Sequence, residues 1–455
     1  FRVHPDQHLH FPAHLTDKLL FVTNVFDFPT QRMRLGTGIK AHGPAADAAG
    51  RALQTDYFVT LESLWSLYGT NAVKGSAAST TGPAEFQADQ AITPKDQKAF
   101  ATNNGVPDWN ITTKVGSFSG SDTEATLDEE YIGSVGIGNT QWYWTEADWM
   151  YEWTEALKAA TSLPAVFSVS WGWYEGDQCT VDPGQGPCTN PKGSYAYVAA
   201  VNAGFQAATA RGVTILVASG DSGAHGRTDP SCSSPITRPD YPAASPYILS
   251  VGATQLSNGQ PIANPVTPVC KNQAAGGQCA ASGTEIVSST ATGSLIVSGG
   301  GFSNVAPQPS WQTAAVAAYL ASGATTPGAG NFNQTSRGYP DVAAIGHNVV
   351  IYQGGPEAVD GTSCAAPIFG AIIGLANAAR LAAGKAVLGF ANPGIYQVAA
   401  STPAAFNDIT VGDNKCTEDG CAAGCTGYSA TKGWDPTTGW GTPKTSALVT
   451  ALAAL

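Results

Sequence analysis

The run from Ile368 to Ala383 is long, apolar and rich in small residues, and it reads as a helix buried on every side. The segment leading into it, Gly361-Thr362-Ser363-Cys364-Ala365-Ala366-Pro367, places a lone serine at the mouth of that helix, held on a glycine turn. The free N–H groups and the dipole of a helix N-terminus favour a developing negative charge there. Pro367 fits a first turn, where its missing N–H costs little. A nucleophilic hydroxyl is displayed in this way. A serine in the same place also serves simply as a helix cap. What separates the two is whether the chain supplies a base and an oxyanion donor.

A chain of 455 residues that is 43% hydrophobic can build a core large enough for such a helix. Charged residues make up only 12%, about half the usual share, and the net charge is -12. No basic patch points to nucleic acid, and no apolar run reaches the roughly 20 residues of a membrane span. The start at Phe1, without a leader-like apolar region, reads as a processed or trimmed end.

Of nine cysteines, Cys179 and Cys188 bracket one Pro/Gly-rich loop and Cys270 and Cys279 another, while Cys416, Cys421 and Cys425 crowd a third. Loop-bracketing pairs suggest disulfides of a secreted or lysosomal protein. No histidine lies in these loops to favour zinc. Cys364, at the start of the buried helix, is the odd thiol. The sequons at Asn110 and Asn333 agree with an exported, glycosylated chain.

Residues 1–55 differ from the rest. They hold His4, His8, His10 and His14, too irregularly spaced to read as a metal site, and then a polar Gly/Ala stretch, Gly36 to Gln54, that reads as a linker. From Val59 the pattern is globular. Helices are expected at Thr60–Tyr68, Thr93–Asn103, from Glu124, at Glu146–Thr161 and at Tyr195–Arg211. Strands are expected at Ala165–Trp171, Val213–Ser219 and Tyr247–Ala253. Continuously apolar strands alternating with helices predict an α/β fold with a parallel sheet covered on both faces. Thr254 to Gly299 reads as a long surface excursion.

The usual base for a serine nucleophile is histidine, yet His42, His225 and His347 all sit in unsuitable settings, and His225 is only four residues from Asp221. Carboxylates are better placed. Glu124 and Asp128 are i and i+4, on one face of a helix. Two adjacent carboxyls share a proton and can accept another from serine at low pH. An acidic first turn that merely complements the helix dipole gives the same pattern. The stretch Ser219-Gly220-Asp221-Ser222-Gly223 closes a strand, where ligand sites of open α/β sheets lie. A carboxyl kept neutral there can donate to an oxyanion, or be an ordinary turn residue.

Gly361-Thr362-Ser363 with Pro367, Glu124-x-x-x-Asp128 and Ser219 to Gly223 together resemble the sedolisins, the serine-carboxyl peptidases, and are close to their tripeptidyl peptidase I branch. Ser298 to Val305, Arg337 to Val342 and Gly433 to Pro443 agree, so that the resemblance spans about residues 59–455. It implies a subtilisin-like parallel sheet of about seven strands flanked by helices on both faces. It also implies an acid-active peptidase with Ser363 as nucleophile, Glu124 as general base and then acid, and Asp128 orienting Glu124. Asp221 would be the protonated oxyanion donor, beside the Ser363 N–H. Tripeptide release from a free N-terminus is the expected activity, with internal cleavage as the alternative. An inactive peptide-binding relative and a histidine-dependent subtilisin are the other readings.

The same resemblance implies one structural Ca²⁺, held by the carboxylates of Asp408 and Asp435 and the carbonyls of Ile409, Thr431 and Gly433, a hard-oxygen set. It implies a substrate-backbone slot from Ser170, Trp171 and Gly172 and from Gly299, Gly300 and Gly301. It pairs Cys416 with Cys425 and Cys421 with Cys232. Residues 1–55 resemble the tail of a propeptide and its activation linker, with the peptidase domain at 56–455.

Overall fold

Apolar strands need cover on both faces, and the molecule supplies it. The computed structural model describes residues 40–41, 57–87, 92–118, 121–189, 193–272 and 278–455. The four-histidine cluster, most of the expected linker and the boundary at residue 55 lie outside the described residues.

Eight strands form the central sheet: β1 (Thr80–Phe86), β2 (Ile111–Val115), β3 (Thr140–Glu146), β4 (Val166–Val169), β5 (Thr214–Ala218), β6 (Leu249–Leu256), β7 (Glu285–Val287) and β8 (Val342–Ile345). Their order is β7-β6-β5-β4-β1-β3-β2, with β8 also on β6, and all pairings are parallel except that of the edge strand β7. The order reverses at β1, whose neighbours are β3 and β4. Ligands of open α/β sheets bind at such a switch point, beyond the carboxyl ends of the strands. Here those ends carry Glu85 (β1), Ser170 just after β4, and Asp221 just after β5.

One core fills the face under helix Thr362–Ala382, which packs on β4, β5, β6, β8 and on helix Thr123–Val135. The other lies under helices Met150–Ala159 and Ser194–Ala210. There Phe86 meets Trp149, Trp153 and Trp171 edge-on, with centroids 5.6, 5.4 and 5.9 Å apart. Alternation along a strand sends Glu85 to the opposite face from Phe86, toward the serine helix.

Several sequence expectations need correction. The helix expected from Glu146 is the end of strand β3, and the helix starts only at Met150. The alternating Trp142-Tyr143-Trp144-Thr145 stretch suits a strand held between β1 and β2. The expected excursion from Thr254 instead continues β6 to Leu256 and returns as β7, with Ile286 and Val287 buried. Half-buried Glu285 makes that return stable by accepting from Tyr68, Thr254 and Thr442 at 2.6–2.8 Å. Two residues of the expected linker, Lys40–Ala41, pair antiparallel with Asp360 and Val359. Pro367 lies beyond the first turn, inside the helix, where it removes a donor from the Ser363 carbonyl. The helix Thr362–Ala382 is also long and apolar enough to cross a membrane by length and composition, contrary to expectation. Its residues through Ala378 are buried in the core.

Cys179–Cys188 and Cys270–Cys279 are bonded as expected, and Cys364 is free and buried. The two remaining pairings differ: the structure joins Cys232 to Cys425 and Cys416 to Cys421. Mutual backbone hydrogen bonds between Thr417 and Gly420, at 2.9 and 3.0 Å, close a tight turn. That turn brings the Cys416 and Cys421 Cα atoms to 4.4 Å, within disulfide reach. Thr417 Oγ1 also donates to the Pro230 carbonyl at 2.7 Å, carrying the loop to Cys232 and leaving Cys425 for it. Non-reducing peptide mapping should recover 232–425 and 416–421 cross-links; a 232–421 peptide would refute this connectivity.

Candidate active site

The serine helix begins at Gly361, whose extended backbone (φ 174°) sets the entry and which offers no side-chain cap. Ser363 is therefore not the cap. It is the second helical residue, in the turn whose N–H groups have no partner within the helix. Its hydroxyl acts on the Glu124 carboxyl as a neighbour that favours the ionised form. Thr362 fixes the turn from the other side: its N–H and its hydroxyl both donate to Asp221 Oδ1 at 2.8 Å. The Gly220 N–H in turn donates to Thr362 Oγ1 at 3.1 Å. Nothing about a threonine beside a serine announces this role in the sequence.

Glu124 and Asp128 come from helix Thr123–Val135, capped by Asp122, whose side chain accepts the Glu124 N–H at 2.8 Å. An acidic turn that only met the dipole would face water. Here Glu124, Asp128, Glu129 and Glu130 are all buried. Glu129 accepts from Trp109 Nε1 at 2.8 Å and Glu130 from the Tyr352 N–H at 3.0 Å, so these two are structural. Asp128 accepts from Ser170 Oγ at 2.8 Å. Glu85, which the sequence reading did not single out, receives Trp171 Nε1 at 2.9 Å and adds its charge to the field at Glu124.

Burial dominates the electrostatics. It pushes the Glu124 carboxyl well above the usual range, against the effect of the Ser363 hydroxyl, with Glu85, Asp122 and Asp221 adding to the rise. Asp128 is pushed up by burial and then by Glu124. Among the described residues, Glu124 Oε1 and Asp128 Oδ2 have no hydrogen-bond partner. Asp221 is raised to about 7, burial outweighing the Arg227 charge and the two Thr362 hydrogen bonds. The histidines do other work. His225 Nε2 meets Thr426, and burial holds its ring below the usual imidazole range, against the nearby Asp229. His347 Nδ1 lies 2.6 Å from Asp360.

Comparison with known proteins agrees. Residues 131–386 match the subtilase family, a span that includes Asp221 and Ser363 but not Glu124 and Asp128. Physarolisin of Physarum polycephalum is 43% identical over 98% of this chain and 75% of its own length. The chain belongs to the sedolisin family. It is a serine peptidase of that family. Tripeptidyl-peptidase 1 of Canis lupus familiaris is 36% identical over 72% of this chain, and so is that of Homo sapiens; the chain spans about half the length of each, 51%. Pseudomonas sedolisin, solved in complex with pseudo-iodotyrostatin, has the same fold, with a TM-score of 0.64 at 24% identity over 88% of this chain and 99% of that one.

Other sedolisin features fall as follows. Ser170 and Trp171 are spent on Asp128 and Glu85. Gly299 and Gly300 approach the protein's own backbone: a Cβ would lie 2.2 Å from the Ser219 carbonyl and 2.1 Å from that of Pro436. Asp408 and Asp435 converge on one turn: Asp408 accepts the Gly433 N–H at 3.0 Å, and Asp435 Oδ2 accepts that of Thr431 at 3.1 Å. Burial raises Asp435 to about 7, and partial desolvation raises Asp408, which stays exposed. Two carboxyls beside the carbonyl-bearing 431–433 turn fit a hard cation. Asn110 and Asn333 are both exposed.

Glu129 at about 8 and Glu175, Asp221 and Asp240 at about 7 are carboxyls whose folded state holds a proton that the unfolded chain releases near ~4. Their contribution to stability is complete below that lower value and is lost as pH rises through about 7. The melting temperature should fall between mildly acid and mildly alkaline buffer. A melting temperature that rises instead would contradict the burial described.

Proposed function

We propose that this sedolisin works in acid on peptides with a free N-terminus, releasing tripeptides through a Ser363 acyl-enzyme. The observation that carries the reading is a buried Glu124 acting on the buried Ser363 at a helix mouth whose other side Thr362 ties to Asp221. Glu124 takes the Ser363 proton as Oγ attacks the scissile carbonyl carbon. The new C–O⁻ is met by the protonated Asp221 and the Ser363 N–H. Glu124 returns the proton to the leaving amine as the C–N bond breaks. Water then adds to the ester, losing its proton to Glu124, and as the C–Oγ bond breaks Glu124 returns that proton to Ser363 Oγ and the acid product leaves. Asp128 holds the second share of the proton and orients Glu124. As pH rises through about 7, Asp221 ionises, and a carboxylate repels the charge it should receive.

The strand pairing of Lys40–Ala41 just ahead of the serine turn supports an N-terminal propeptide whose linker crosses the site. Ser170, Trp171, Gly172 and Gly299 to Gly301 form the wall that substrate backbone follows. Asp408, Asp435 and the Ile409, Thr431 and Gly433 carbonyls hold a Ca²⁺ whose contribution is to fix the C-terminal loop. Four disulfides, two exposed sequons and an acid-adapted site suit a secreted or lysosomal setting.

A pH profile of peptide cleavage for the full chain, beside Ser363→Ala, tests the chemistry. Activity should peak in acid and vanish in Ser363→Ala. Glu124→Gln should lose about 10²- to 10⁴-fold in kcat, the range for a general base. Efficient cleavage of a peptide with a blocked N-terminus would replace tripeptide release by internal cleavage. For the metal, Ca²⁺ should raise the melting temperature and a chelator lower it, with Asp435→Asn insensitive to both; identical melting in Ca²⁺ and chelator would remove the ion.

A further inference from the structure

Asp221 can donate to an oxyanion only while it keeps its proton, yet a guanidinium stands beside it. Arg227 Nη2 lies 3.4 Å from Asp221 Oδ2. Because Thr362 occupies Oδ1 with two hydrogen bonds, Oδ2 is the oxygen left to carry the proton. An unopposed arginine at that distance would drive the proton off. The structure answers with Glu418, from the C-terminal loop. Arg227 Nε donates to Glu418 Oε1 at 2.8 Å, and Nη2 reaches Oε2 at 3.4 Å. The shorter contact thus goes to Glu418 and only the longer one to Asp221. The side chains of Arg227 and Glu418 are 16% and 14% exposed, so water does little to screen them.

The remaining groups that face Asp221 agree. Asp240 belongs to the same cluster, its Oδ2 only 1.8 Å from where a Cβ on Gly220 would stand. Glu124 and Cys364 lie on the serine side. Among the described residues that act on Asp221, Arg227 is the cation and Glu418 its counter-ion. Glu418 offsets part of the Arg227 charge that favours the ionised forms of Asp221 and Asp240.

We propose that Glu418, by holding Arg227, lets Asp221 keep its proton and so sets the alkaline end of the range in which the enzyme works. Glu418 is a positioning residue here, acting through Arg227 and touching neither substrate nor Ser363 in this role. The inference rests on the reading of Asp221 as oxyanion donor.

The test is the alkaline limb of kcat/KM, read with an internally quenched peptide bearing a free N-terminus, on the full chain after acidification. In Glu418→Gln the limb should move down by about one pH unit, the lower end of what an unopposed cation does to a carboxyl. In Arg227→Gln it should move up. The double variant should return toward the parent, and it keeps the test open should a single charge disturb folding. A purely structural role would lower the melting temperature and the rate in both single variants without moving their limbs in opposite directions, and would overturn the proposal. Asp221→Asn separates the two layers, since an amide donates without titrating. If the parent limb persists in Asp221→Asn, the oxyanion reading fails and this inference with it. If it disappears there but stays in place in Glu418→Gln, only the role of Glu418 is lost.

Discussion

In the proposed mechanism a carboxyl takes the place of an imidazole, and this sets the terms for everything around Ser363. An ordinary glutamate holds protons too weakly to take one from an alcohol. Burial repairs this by penalising the charged form, and it does so for Glu124, Asp128 and Asp221 together. The same remedy works only where cations are scarce, because each buried lysine or arginine would restore the ionised state. The chain has 22 Lys and Arg against 34 Asp and Glu, and the arginine nearest the site comes with its own glutamate.

Sheet topology brings these groups together. Glu85, Ser170 and Asp221 leave the carboxyl ends of three adjacent parallel strands, β1, β4 and β5, at the point where strand order reverses. Two helices then lie across those ends, one bringing the carboxyl pair and the other the serine, and they pack directly against each other. Small residues sit at this contact: a Cβ on Gly370 would lie 3.6 Å from Ile132, and one on Gly136 3.5 Å from Ala371.

The parts of the site that were legible in the sequence are those written in short stretches. The serine turn, the i, i+4 carboxyls and the Asp221 turn each announce a local geometry, and their combination carried the family resemblance. Residues whose role arises from distant contacts were not legible. Glu85 and Trp171 meet across 86 positions, and Arg227 and Glu418 across 191. Strand β1 was hidden for a different reason. It carries Gly82 and Pro83, residue types that strands seldom hold, and the ladder to β3 skips both, with Gly82 against the Trp142 carbonyl. Cysteine partners depended on a turn at Thr417–Gly420 that no spacing rule reveals.

The Asp221 loop is braced from the far end of the chain. Ala224 donates to the Asn414 carbonyl at 3.0 Å, Thr417 holds Pro230, and Cys232 is bonded to Cys425 across 193 residues. A ribosome therefore releases the sheet and the serine helix before it releases the segment that completes their surroundings. While the chain is being made, a molecule that already displays Ser363 lacks the brace on its Asp221 loop. The order of synthesis itself delays the finished surroundings of Ser363 until Cys425 has emerged.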